Sequence, residues 1–189
     1  MSQNNAANVS TVRGLEGGYF FRAPIDVIDK PTAANFADWR PGTEWVNLGY
    51  VPEDGFTEGV EFDEGDAIVD INSDIIDQPT GTATETLTIG LMEINAAALS
   101  TQYGTDNVTD ENGVITISHN WGEKPSYCFA LLLLLKNGRR WVKFIDGAKV
   151  TALGEFTGNS TTAAQREITL TYQNRACTDF IESTETSTE

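Results

Sequence analysis

The sequence predicts an all-β fold, a β-sandwich or barrel carrying one short α-helix. Apolar residues recur mostly with period two; in residues 82–89, Thr82, Thr84, Thr86 and Thr88 share one face while Leu87 and Ile89 share the other. Two apolar segments, residues 127–136 and 139–145, are joined by Asn137-Gly138, the favoured pair for a tight hairpin. Only Ala96–Tyr103 carries helix punctuation: Asn95 can accept an early backbone N–H, alanines follow, and Gly104 suits the position after the last turn. The 189 residues suffice for one domain with a real core.

Taken in order, residues 1–16 begin Asn-, Ser- and Ala-rich and read as a flexible arm; residues 181–189 (IESTETSTE) read as a flexible acidic tail. Residues 17–180 form the single β-domain. Residues 19–22 are a short aromatic strand. The long loop, residues 26–44, contains Pro31, Pro41 and Gly42 and shows no period; such a length is uncommon in a compact domain unless it serves something. A strand at residues 45–51 is closed by Pro52 and the turn pair Asp54-Gly55. Residues 59–71 alternate imperfectly, and 82–89 follows with one face hydroxylated and the other buried. In the helix, Leu99 and Tyr103 are four apart and share the side toward the sheet. Residues 114–118 are a further strand, and 165–173 closes the domain with Ile168, Leu170 and Tyr172 inward.

The central hairpin is the strongest local signal. A two-residue type I′ turn at Asn137-Gly138 sets Lys136 opposite Arg139, Leu134 opposite Trp141 and Leu132 opposite Lys143. Phe129, Leu131, Leu133 and Leu135 then point one way; Cys128, Ala130, Leu132 and Leu134 point the other. A strand apolar on both sides must be covered twice. The sandwich interior is one cover. The helix is the preferred second, with a neighbouring subunit as the alternative.

Charge is distributed unevenly. From Arg40 to Lys124 there is no lysine or arginine, while Asp and Glu are frequent; most cations follow from Lys124 onward. The formal net charge is -16, and the pI about 4.2. A chain so divided has one strongly negative surface and cations elsewhere to meet it, which suits docking on copies of itself. Holding DNA without sequence preference needs clustered cations, so an open DNA-binding surface is excluded, as is attraction to an anionic membrane. The longest apolar run, residues 129–135, is far short of the ~20 residues needed to span a bilayer. No basic and apolar leader opens the chain, so synthesis without a cleaved secretory signal is expected, with Cys128 and Cys177 as reduced thiols and Cys128 in the core.

Catalytic patterns are missing. His119 is the sole histidine and no G-x-S-x-G elbow accompanies it. The acidic runs lack the spacing of a calcium loop, the cysteines fit no zinc pattern, and there is no glycine-rich phosphate loop. No cofactor or metal is expected. A carbohydrate-binding sandwich is an alternative, with Trp39, Trp45, Trp121 or Trp141 as stacking platform.

One ordered set of segments is familiar. The run WVNLGYVPEDG (residues 45–55) follows GGYFFRAP (residues 17–24) and precedes the acidic strand, the Thr-rich strand and the helix ending Gln102-Tyr103-Gly104. That order resembles the major tail protein of long-tailed, non-contractile bacteriophages, in particular those of actinobacterial hosts. The resemblance implies a structural virion protein, made in the host cytoplasm, whose hexameric rings stack into a hollow tail tube. It implies an inner β-barrel built jointly by the subunits, through which DNA passes transiently. Partners would be further copies and other tail proteins: tape measure, tail terminator and distal tail. A tail terminator or head–tail joining subunit is the neighbouring alternative.

The residues fit such a wall. A bore should repel phosphate and offer few cationic donors, so Glu61, Asp63, Thr84, Thr86 and Thr88 are candidates for its lining. Joining sheets between subunits hides exposed edges. Phe36 and Trp39 in the long loop, with Tyr19, Phe20 and Phe21, are candidates for contacts between subunits or rings. On this reading Trp39→Ala leaves the monomer folded and impairs stacking, while Leu133→Asp abolishes folding. A six-subunit ring carries about -96, a repulsion screened beyond about 8–10 Å at physiological salt, so assembly is expected to quicken as salt rises.

Overall fold

β10 (Tyr127–Leu135, YCFALLLLL) is buried over most of its length on both faces and organises the molecule. The structure is a computed structural model that describes residues 6, 9–79, 81–173 and 177–183. The flexible-arm and acidic-tail readings fall partly outside them.

β10 pairs antiparallel with β11 (Arg140–Leu153) on one side. On the other lie β1 (Val12–Gly14) and β2 (Phe20–Pro24), which pair in turn with successive parts of β10. β3 (Val46–Asn47) borders β2. The far edge of β11 carries β12 (Arg166–Tyr172) along its second half and β13 (Cys177–Ile181) along its first. Beyond β12 come β7 (Ala83–Leu91) and β4 (Phe56–Phe62), so the sheet runs β3-β2-β10-β11-β12-β7-β4 without closing into a barrel. Two small hairpins stand apart, β5 (Ile68–Val69) with β6 (Ile75–Asp77), and β8 (Val108–Glu111) with β9 (Val114–Ile117). The helix α1 spans Ala96–Tyr103, with the Asn95 side-chain Oδ1 accepting from the Ala98 N–H and the Gly104 N–H donating to the Ser100 carbonyl.

The curl of this sheet brings two layers face to face. Leu87, Ile89 and Leu91 from β7, with Ile168 and Leu170 from β12, pack on Phe129, Leu131 and Leu133 of β10, Ile145 of β11 and Phe20. Ala98 of α1 joins this same cluster. The helix therefore does not cover the second face of β10. Cys128, Ala130 and Leu132, with Val142, Phe144 and Ala23 of the neighbouring strands, are covered instead by Val27, Trp39 and Trp45. The long loop folds back on its own subunit because its polar groups find partners there. The Asp29 carboxylate accepts from Trp39 Nε1 at 2.8 Å and Gly42 N at 3.0 Å, and its carbonyl accepts from Trp45 Nε1 at 2.9 Å. The Arg140 guanidinium donates to the carbonyls of Ala37 and Trp39.

The hairpin register differs by one from the expected pairing. Leu134 faces Arg140, Leu133 faces Trp141 and Leu131 faces Lys143. Asn137 and Gly138 do take positive φ, 74° and 78°, but Lys136 is drawn into the turn and the loop has three residues. A slip of one residue exchanges the faces of every side chain beyond the turn. Trp141 and Lys143 therefore point into the sandwich interior.

Candidate functional site

The face of β7 turned away from that interior continues across three neighbouring strands. Residues directly opposite in an antiparallel ladder share a face. Thr88 sits between Thr57 of β4 and Thr169 of β12; Thr86 sits between Gly59 and Thr171; Thr84 faces Glu61. Thr151, at an irregularity of β11, completes the array with its hydroxyl 2.7 Å from that of Thr171. Thr88 and Thr169 hydroxyls are 3.2 Å apart, and Thr86 donates to the Gly59 carbonyl at 3.4 Å. Alternation is the local cause: Thr86, Thr88, Thr169 and Thr171 are each followed by a buried residue, Leu87 and Ile89 in β7, Leu170 and Tyr172 in β12.

This surface is hydroxyl-rich and acid-bordered. Thr84, Glu61 and Asp63 are exposed, and Thr86 and Thr88 are partly so. Glu167, opposite Gly90, adds another carboxylate. Lys149 opposes Thr171 as a cation on the same face, but its ammonium lies 2.9 Å from Glu123 and holds that carboxyl below its ordinary value. The five residues expected to line a bore are thus brought together. Such a surface offers no guanidinium to grip a phosphate, and four of its hydroxyls are paired with one another, Thr88 with Thr169 and Thr151 with Thr171.

Of the five aromatic contact candidates, Trp39, Tyr19, Phe21 and Phe36 meet in or against the cluster on the second face of β10, while Phe20 lies in the other core cluster. Phe20 and Trp39 are buried within the subunit. Tyr19 and Phe21 are half-buried, the Tyr19 oxygen accepting from the Val51 N–H at 2.7 Å. Phe36 stacks on Phe180 with ring centroids 5.9 Å apart. Among the tryptophans, Trp45 packs edge-on against Phe144 and Trp141 against Phe56, whereas Trp121 is 58% exposed. They form no common stacking platform. His119 lies on Tyr103 and Trp121, 5.0 and 5.8 Å between ring centres. Among the described residues no cluster of three or more His, Cys, Asp or Glu side chains could hold a metal, and no helix is long and apolar enough to cross a membrane.

Sequence reading missed a buried charge. Lys143 is 1% exposed inside the sandwich, its ammonium 2.9 Å from Glu58 of β4 and 2.8 Å from Asp179 of β13. Tyr172 donates to the same Glu58 oxygen and Trp141 to Asp179, at 2.8 and 2.7 Å. Arg22 donates to Ser100 and lies over the Tyr127 ring. With Arg140 on the loop carbonyls, much of the positive charge serves the subunit's own interior. The expected surface of free cations is correspondingly thinner.

No curated protein matches the chain. Among solved structures it is similar to a chain of an extracellular contractile injection system, the PVC sheath–tube complex in its extended state, at 11% identity and TM-score 0.45, covering 89% of this chain and 92% of that one. It is also similar to a chain of the anti-feeding prophage cap, a tube-terminating cap, at 13% identity and TM-score 0.42, with 90% and 93% covered. A chain from the virion of a native gene transfer agent particle matches at 8% identity and TM-score 0.35, with 76% and 92% covered. The model of the phage tail tube protein family matches residues 5–186, nearly the whole sequence. The chain belongs to the phage tail tube protein family.

Proposed function

We propose that this virion protein assembles with copies of itself into stacked hexameric rings whose bore is lined by the threonine and carboxylate face of β4, β7, β12 and β11. The observation that carries the reading is the composition of that face, where Thr57, Thr84, Thr86, Thr88, Thr169 and Thr171 meet Glu61 and Glu167, and where Lys149 is neutralised. DNA moving through a channel is retained by each inward cation that displaces its counterions, and slides past surfaces that present none. Phosphate is repelled by the carboxylates at short range, and hydroxyls supply only weak, exchangeable contacts. The reading gives no residue a catalytic role. Membership among long, non-contractile tails of actinobacterial phages is supported by the order of segments from residues 17–24 to Gln102-Tyr103-Gly104, with the run at residues 45–55 its most specific piece. Tape measure, terminator and distal tail proteins are the expected partners at the tube's ends and interior.

A thiol placed on the proposed wall tests this. In Thr84→Cys tubes, a small maleimide is expected to label residue 84, while a maleimide on a polymer too large for the bore labels it only after the tubes are dissociated. Equal labelling of intact tubes by both reagents puts this face outside.

A further inference from the structure

The β5–β6 arm, inserted between β4 and β7, concentrates exposed apolar side chains in one short stretch. Ile71 at its tip is 99% exposed, and Phe62, Ile75 and Ile76 are also largely exposed. Asp63, Glu64, Asp66, Asp70, Asp74 and Asp77 surround them, and the stretch holds no cation. The arm has a defined shape. Its base is fixed by the Asp63 N–H donating to the Thr82 carbonyl at 2.9 Å, and any side chain at Gly81 would collide with the Asp63 backbone. Its tip is fixed by the Asp70 carboxylate, which accepts the backbone N–H groups of Asp74 and Asn72 at 2.9 and 2.8 Å. An ordered, acidic and apolar projection that touches little of its own subunit needs a cover.

The opposite character is found at the other end of β7. There Trp121 and Phe156 are both more than half exposed, and two cations lie among the rings. The Lys124 ammonium is 5.7 Å from the Trp121 ring centre, and the Arg166 guanidinium 5.5 Å from those of Tyr103 and Phe156. Neither cation has a carboxylate partner among the described residues: Lys124 donates to the Gln102 carbonyl and Arg166 to the Tyr103 hydroxyl. Arg166 Nε is buried with no hydrogen-bond partner among the described residues. Burial, and then the charge of Arg166, hold Lys124 below its ordinary value, as expected of cations lacking a counter-charge.

The register places these patches. Phe62 pairs with Ala83 at the first residue of β7, and Arg166 pairs with Leu91 at its last. Nine strand residues put them about 27 Å apart, at opposite ends of the subunit, so one copy cannot bring its own two patches together. We infer that the arm of one copy docks by its isoleucines and carboxylates on the Trp121, Phe156, Lys124 and Arg166 surface of the next copy along the strand direction. Two different surfaces meeting head to tail make a contact that repeats without closing, which is the geometry of a growing stack. The inference rests on the tube reading above and assigns the contact between successive rings.

Two exposed-residue variants test it, Ile71→Ser on the arm and Trp121→Ser at the receiving end, each checked for an unchanged melting temperature. The concentration needed for rods, seen by negative-stain microscopy, is expected to rise about ten- to a hundredfold for Ile71→Ser. Arm-deficient (Ile71→Ser, Ile76→Ser) and receiver-deficient variants are each expected to stop at single rings, and their mixture at paired rings, because one intact contact survives per pair. Rods at unchanged concentration, or a mixture that stays as single rings, overturns the inference. Wild-type protein that forms no rods in any condition overturns the tube reading instead.

Discussion

Lys143 provides a stringent test of how the sandwich is held together. Its ammonium is buried, whereas its partners Glu58 and Asp179 keep side-chain exposures of 36% and 37%. The two sides of the bridge should therefore respond differently to removal. Asp179→Ala leaves the ammonium one carboxylate and frees the Trp141 N–H, a loss of about 1.5–3 kcal/mol for a charged hydrogen bond. Glu58→Ala with Asp179→Ala leaves a buried charge uncompensated, at about 3–5 kcal/mol. Lys143→Met removes the buried charge itself; the carboxylates turn to water, and the thioether fills the stem's volume. Its expected effect is under about 1 kcal/mol in either direction. Urea unfolding of the monomer below its assembly concentration gives the midpoint and slope for each variant. Lys143→Met costing as much as the double alanine variant would refute the asymmetry. The pH dependence has a fixed sign. Burial alone lowers the Lys143 pKa, but bonds to Asp179 and Glu58 outweigh it, and the folded value lies above the ordinary 10.5. The resulting stability is complete below pH 10.5 and is lost as pH climbs through the folded value, a loss absent from Lys143→Met.

Three further outcomes are expected. Trp39→Ala empties a site packed against Trp45 and should destabilise the monomer by about 3–5 kcal/mol, alongside Leu133→Asp, which prevents folding; a fully stable Trp39→Ala monomer by thermal melt would remove the indole from the core. Light scattering across a salt series should show faster assembly up to physiological ionic strength, since a charge of -16 per subunit opposes approach; fastest assembly in the lowest salt contradicts this. Burial pushes the Cys128 thiol up to about 12 and that of Cys177 to about 11, so iodoacetamide at pH 8 should label neither in folded protein, and rapid labelling of Cys128 would show that β10 opens.

What could be read from the sequence was whatever local chemistry decides. The helix came out with its bounds because Asn95 and Gly104 punctuate it. The two faces of β10 came out because alternation is geometric, and each face does contribute to its own buried cluster. The threonine face of β7 follows from the same rule, and the register then adds Thr57, Thr169 and Thr171. Register itself was less legible. Two- and three-residue hairpin loops both accept positive φ at Asn137 and Gly138, and the choice falls to packing of Trp141 and Lys143 far from the turn. The cover of the second face depended on Asp29 and Arg140 meeting backbone groups of the loop, contacts that span up to 103 residues and have no local signature. The same holds for Lys143, whose partners lie 85 residues before and 36 after it. The pairing of β1 and β13 was equally hidden, since three- and five-residue edge strands carry too few side chains to show a period.

β11 belongs to both layers. Its first residue, Arg140, grips the loop carbonyls, and eleven residues on Thr151 stands among the threonines of the proposed wall, about 36 Å away along one unbroken backbone. Strain applied at the loop thus reaches the threonine face along this one strand, which bends where Gly147 takes a positive φ and where the pairing shifts at Thr151. On the tube reading, dilating the passage would shear whole ladders from β10, β12 and β13, and the calibre of the conduit would be a property of every subunit's central strand.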